Sequence, residues 1–292
     1  MKYAFKFVCQ KGKLEAQAVL LAASLKRYLR CDYELIAAIP NDAEGPHSTT
    51  LEFLKKLGVR TGNIKNKTGN PYNNPVFCLS IPTDAQKSVL MDTDLLCMKE
   101  FFHERRFSDV SFNAKQVHKD TLGPWVDIFR ACRIKVPAVR VPTIVSQEYL
   151  PPYFNAGFVA LHTKYIKDFA SAWLDCHNRI KKAKAIKNGL DHFIPQISMA
   201  IALHKMKIDY ELLDERYNHP IRYSPVLIDG KIAPFFCHYH SPEDIFREPS
   251  GVVLTLVRSL AKEYQEVTEI LNWFPKYSEL LLNPSGCHEN NT

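Results

Sequence analysis

A chain of 292 residues with 46% hydrophobic content can bury a full core, and none of its apolar runs approaches the roughly 20 residues that a membrane-spanning helix needs. Thirty-eight Lys and Arg against 31 Asp and Glu give a net charge of +7, spread along the chain. That balance suits an anionic substrate, and no basic and aromatic stripe points to nucleic acid. The eight cysteines are scattered, with no Cys-x-x-Cys pair and no zinc-like spacing. They read as reduced core thiols and favour a cytoplasmic compartment.

Tyr3 to Val8 alternates like a strand that Lys6 interrupts, which excludes a secretory signal there. Leu14 to Leu29 carries apolar residues at helical spacing, and Tyr33 to Ile39 is strand-like again. This β-α-β opening places Val8, Cys9 and the turn to Lys13 at the carboxyl end of the first strand, where an open α/β sheet holds a nucleotide. Leu51 to Leu57 reads as a helix ending at Gly58, and Asn63 to Asn74 as a polar surface loop. A short helix is expected over Pro75 to Asp84, a helix over Phe101 to Phe107, a strand over Ser108 to Ala114 and a helix over Trp125 to Cys132. Val136 to Pro142 should be extended, because proline disfavours helix in the residue before it.

Further on, Tyr153 to Leu161 reads as a Gly-bearing turn feeding an apolar strand. Helices follow over Tyr165 to Ile180 and Asp191 to Leu203, then a late strand over Ile208 to Leu213. The basic cluster Arg179 to Lys187 reads as a solvated helix end, with phosphate or membrane-surface contact as the alternative. Peripheral membrane association therefore stays open. After Pro249 the chain is helical to Phe274 and ends in a polar tail.

The densest chemistry lies at Val89-Leu-Met-Asp-Thr-Asp94, an apolar strand that runs out into two carboxylates spaced i, i+2. Extended geometry sends alternate side chains to one side, so Asp92 and Asp94 can converge on a divalent cation that keeps positions open for a diphosphate. A solvated acidic turn is the plain alternative. Late in the chain, His238 and His240 share the same i, i+2 spacing after an apolar run.

Taken in order, Val89-Leu-Met-Asp-Thr-Asp-Leu-Leu96, Tyr153-Phe-Asn-Ala-Gly-Phe-Val159 and Phe236-Cys-His-Tyr-His-Ser-Pro242 resemble the GT-A glycosyltransferases, especially their glycogenin-like and galactosyltransferase-like members. The resemblance implies a GT-A-like (Rossmann-like) α/β fold with a mostly parallel central sheet over residues 1–248 and a short helical extension over 249–292. It implies Mn²⁺ (or Mg²⁺) on Asp92 and Asp94, with His238 as third ligand and His240 as its competitor; an imidazole suits Mn²⁺ better. Asn155 and Gly157 match the segment that contacts the donor sugar, the alternative being a simple turn before a strand. Asp191 matches the acidic start of the helix facing the sugar, the alternative being a carboxylate that favours a helix N-terminus; Gln196 follows it. Arg247 resembles a basic residue over the diphosphate, or is a solvated arginine. Tyr72, His118 and Trp125 are acceptor-side candidates.

The activity so implied is metal-dependent transfer of a hexose from a nucleoside diphosphate donor, a UDP-sugar foremost, to a hydroxyl of a glycan, lipid-linked or small-molecule acceptor. This chain departs from the family in two places. Asn73-Asn-Pro-Val76 replaces an Asn-Lys pair whose lysine lies near the donor phosphates, and His238-Tyr-His-Ser-Pro-Glu-Asp replaces an H-x-G-x-x-K-P-W ending. Two rivals share the early motif. A haloacid-dehalogenase-like phosphatase also uses an apolar strand before Asp-x-Asp, but near the chain start and with a downstream Asp-Asp pair absent here. A non-catalytic nucleotide-sugar or glycan-binding protein would keep the fold alone.

Overall fold

The computed structural model describes residues 1–41, 44–101, 110–117, 125–186, 190–222 and 233–282. The N-terminal half runs β1 (Tyr3–Val8), α1 (Lys13–Tyr28), β2 (Tyr33–Pro40), α2 (Ser48–Lys56), β3 (Val59–Ile64), α3 (Asn74–Leu79), β4 (Lys87–Met91) and β5 (Leu95–Cys97). It continues through β6 (Phe112–Gln116), α4 (Trp125–Ala131), β7 (Val141–Pro142), β8 (Tyr149–Leu150), β9 (Phe154–His162), α5 (Ile166–Ala183) and α6 (Ile194–Met206). The last part holds β10 (Tyr210–Leu212), β11 (His219–Pro220), β12 (Phe236–His238), α7 (Pro242–Arg247), α8 (Val252–Glu263), α9 (Gln265–Asn272) and α10 (Pro275–Ser278).

Seven strands form the central sheet in the order β10-β6-β9-β4-β1-β2-β3. Neighbours pair in parallel except at β9, which runs antiparallel to both β4 and β6. The mixed α/β class with a mostly parallel central sheet is therefore the one the sequence leads to. Both faces of the sheet are covered, so its strands read as continuous apolar runs rather than alternating ones. Tyr3, Phe5 and Phe7 of β1, with Val89 and Met91 of β4, point into one core with α1, α2 and the C-terminal helices. Ala4, Leu90, Val159 and Leu161 point into the other, with α3, α5 and α6.

Lys6, the residue that interrupts the first apolar run, is fully buried and donates to the carbonyls of Leu79 and Ile81 at 2.8 and 2.6 Å. It satisfies backbone at the end of α3 that would otherwise lack partners. Burial depresses its ammonium to about 8.

Several elements differ from the sequence expectation. The short helix after Asn73 ends at Leu79, and Gly157 lies within β9 instead of in a turn before it. Tyr149 and Leu150 form a short strand that pairs with Val141 and Pro142. The expected helix after Phe101, apart from Phe101 itself, and His118 lie outside the described residues. No helix among the described residues is long and apolar enough to cross a membrane. The seven described cysteines are all unpaired, and Cys287 lies outside the described residues.

The β1–α1 turn is held by one carboxylate. Gly12 adopts φ +94°, a region open to glycine but strained for side chains. Its N–H donates to Glu15 Oε1 at 3.0 Å. Glu15, fully buried, also accepts from the His47 N–H at 2.8 Å and the Thr50 hydroxyl at 2.7 Å, with the His47 ring 3.0 Å away. Glu15 thus ties the turn to the start of α2. Glu15→Ala strands these donors and should lower stability by about 3 kcal/mol, measured by urea unfolding; an unchanged midpoint would contradict this role.

Candidate active site

The carboxyl end of β4 lies between those of β1 and the start of β9, because β4 sits between them in the sheet. Asp92 follows β4 directly, and its N–H donates to the Gly157 carbonyl at 2.8 Å. After Asp94 the chain enters β5, which pairs antiparallel with β12 in a register that sets Leu95 opposite His238. The Tyr239 N–H donates to the Asp94 carbonyl at 3.1 Å and closes the same junction. One carboxylate oxygen from each aspartate and a ring nitrogen of His238 consequently all lie within 4.8 Å of one another.

Gly157 is the close approach this cluster requires. A Cβ there would stand 3.0 Å from Asp92 Oδ2, 3.0 Å from Asn155 Oδ1 and 3.2 Å from Asn218 Nδ2. Any larger residue would push on the carboxylate.

His238 is buried, with Nε2 3.0 Å from Asp94 Oδ1 and Nδ1 2.7 Å from Asn218 Oδ1. Burial alone would lower its pKa, but the Asp94 and Asp92 charges outweigh that and raise it. The same attraction overcomes burial at Asp94 and holds its carboxyl down at about 2. Asp92 moves the other way, up to about 6, through burial first and the Asp94 charge second. A cluster with this much unbalanced carboxylate suits a cation: two hard oxygens and one imidazole make a donor set that accepts Mn²⁺ more readily than Mg²⁺.

Beside the carboxylates opens a cavity of about 460 Å³. Its lining comes from β1, the turn after it and α1 through Val8, Gln10, Lys13 and Gln17, from Asp92, Thr93 and Asp94, from Ala156 of β9, and from Tyr72, Trp173, His192 and Gln196. Gln196 is fixed within it, accepting from the Ala156 N–H at 3.1 Å and donating to the Tyr153 hydroxyl at 2.7 Å. Trp125 packs at a tilt against Tyr153 at 5.1 Å, while Tyr72, exposed, lies 6.4 Å from the His192 ring. A larger depression of 520 Å³ between α4 and the end of α5 lies apart from this cluster.

His240 leaves the strand path with φ +47° and stacks on His238 at 4.0 Å. It faces an annex of about 320 Å³ that shares Lys13 and Gln17 with the main cavity and also meets Lys276. Burial first, and then the His238 charge, lower its pKa to about 4.

Of the residues singled out in the sequence, Val8, Asp92, Asp94 and Gln196 line the main cavity, with Asn155, Gly157 and His238 packed behind the carboxylates. Cys9 is fully buried in the core, where desolvation pushes its thiol upward. Asp191 and Arg247 are exposed and line neither cavity. Sequence reasoning passed over Gln10, Lys13, Gln17, Trp173, His192 and Asn218. Gln10 and Lys13 lie in the turn the β-α-β pattern marks, whereas nothing local marks Asn218.

Residues 5–207 match the family described as the Rhodobacterales glycosyltransferase domain. No curated protein matches the chain. Among solved structures, mouse xyloside xylosyltransferase 1 in its apo form is 13% identical with a TM-score of 0.48, over 82% of this chain and 97% of that one. The glycosyltransferase GlyE of Streptococcus pneumoniae TIGR4 is 14% identical with a TM-score of 0.47, over 81% of this chain and 54% of that one. Likenesses this slight carry no argument about chemistry. The family match spans most of the sequence, including the first strand, both aspartates and the glycine behind them, and so the chain belongs to the Rhodobacterales glycosyltransferase domain family and is a glycosyltransferase.

Proposed function

We propose that this transferase moves a hexose from a nucleoside diphosphate sugar, a UDP-sugar foremost, to a hydroxyl acceptor, with Mn²⁺ at Asp92, Asp94 and His238. The convergence of those three side chains beside the cavity that Asp92 and Asp94 line carries the reading. A divalent cation bound there supplies Lewis-acid stabilisation of the charge on the departing diphosphate.

The chain's own residues divide the remaining work. The lining from β1 and the turn after it, Val8 and Gln10, receives the nucleoside, and the lining from β9 and α6, Ala156 and Gln196, receives the sugar. Gln196 meets the sugar with an amide already held by Ala156 and Tyr153, so little ordering is left for binding. Lys13 stands exposed on the first turn of α1 and lines both cavities. Its ammonium takes the place of the lysine missing after Asn73 and binds a donor phosphate. His240 supports His238 by stacking and borders the phosphate end through the annex. The acceptor is a glycan, a lipid-linked sugar or a small molecule entering beside Tyr72 and His192, and the unpaired thiols fit a cytoplasmic protein. The phosphatase reading is not favoured, given the family match.

A UDP-sugar with Mn²⁺ should raise the melting temperature, since a ligand of the native state stabilises it, and EDTA should remove the rise. Asp94→Ala should abolish Mn²⁺-dependent donor binding without unfolding the chain; an unchanged calorimetric affinity would rule out the metal role. His238→Ala should weaken Mn²⁺ binding more than His240→Ala, and the opposite order would exchange their roles. Gly157→Ala, which sets a methyl against Asp92, should reduce kcat/KM by about tenfold or more, equivalent to ~1.4 kcal/mol in the barrier; wild-type turnover would show that the close approach is not needed.

A further inference from the structure

We infer that Asn218 is a positioning residue that selects which nitrogen of His238 faces the cation, and that the Gly157 N–H dictates the selection. The inference rests on reading Asp92, Asp94 and His238 as a cation site. Asn218 is fully buried and directly precedes β11, with φ +49°. Asparagine enters that left-handed region more readily than most non-glycine residues.

The hydrogen bonds around it leave a single consistent arrangement. The Gly157 N–H meets Asn155 Oδ1 at 2.8 Å, and a backbone N–H can only donate, so the Asn155 atom must be its oxygen. That oxygen can only accept, so Asn218 must turn its Nδ2 toward it, at 2.8 Å. Asn218 Oδ1 is then left facing His238 Nδ1 at 2.7 Å, and a carbonyl oxygen there requires Nδ1 to carry a hydrogen. A neutral imidazole has one N–H, so Nε2 keeps the free lone pair. Nε2 is the nitrogen that stands 3.0 Å from Asp94.

The opposite tautomer would aim an N–H at the cation and set two acceptors face to face at Asn218. Partners behind a metal-binding histidine act in this way on ring orientation and tautomer. Here the donor that starts the chain belongs to β9, the strand whose residue 157 also packs on Asp92. One residue of β9 therefore bears on two of the three ligands.

The test is Mn²⁺ binding to the full chain, followed by electron paramagnetic resonance of the free ion, with thermal melting in EDTA alongside. Asn218→Gly removes the side chain without straining the backbone, and should weaken Mn²⁺ binding roughly ten- to a hundredfold while the metal-free protein still melts cooperatively. A residue needed only for stability would lower the melting point and leave Mn²⁺ affinity alone. His238→Gln, titrated in the same way, tests the cation site by itself. If it weakens binding but Asn218→Gly does not, the role of Asn218 is overturned and the cation site stands. If His238→Gln binds Mn²⁺ like wild type, both are overturned. Should the glycine variant not melt cooperatively, Asn218→Ser gives the same reading, because its hydroxyl is too short to reach His238.

Discussion

The antiparallel pairing of β5 with β12 is the constraint on which the site depends. An Asp-x-Asp turn at the end of a buried strand offers two carboxylates and no more. The short strand that follows recruits a partner from late in the chain, in a register that brings His238 level with Leu95 and hence beside Asp94. Both strands are short, but they are fully buried, and Phe101 packs against Phe235 and Phe236 at 5.5 and 5.0 Å to hold them. Apolar burial here fixes the separation of charged groups, which electrostatics alone would leave loose.

The reversed direction of β9 is the second constraint. In a wholly parallel sheet the strand beside β4 would finish at the level of Asp92; running the other way, β9 begins there. Its opening residues, Asn155, Ala156 and Gly157, are thereby placed against the carboxylates and beside Gln196. The bulge between Ala114 and Lys115 lies on the β6 side of this same stretch. Lys115, fully buried, is paired with Glu215 at 2.8 Å, so a cation is neutralised close to His238.

Much of this was legible in the sequence wherever the signal was local. The alternation in Tyr3 to Val8, the helical spacing after Lys13 and the apolar approach to Asp92 each follow from burial on one strand or helix face. The pair of aspartates could be placed for the same reason. Choosing between His238 and His240 needed more, because period-2 spacing makes both equivalent until the backbone turns at His240 and sends one ring inward and the other to the annex. Asn218 had no periodicity, turn signature or neighbouring motif; its contacts are with residues 155 and 238 and exist only after folding. Arg247 illustrates the converse, since a short distance in sequence from His238 left it on the exposed end of α7.

The C-terminal helices give the molecule an architecture that differs from its family boundary. The matched region stops at residue 207, whereas Val253, Leu256, Val257, Leu260, Val267 and Ile270 of α8 and α9 lie in the same core as Leu21 and Leu25 of α1. Arg27 pairs with Glu263 and Lys56 with Glu266 across that seam, the latter at 2.6 Å. What resembles an appendage by sequence is therefore the lid of the first core, and a recombinant fragment trimmed to the matched region would lose both His238 and the cover over its first helix. Inheritance and cooperative folding draw their borders at different places along this polypeptide.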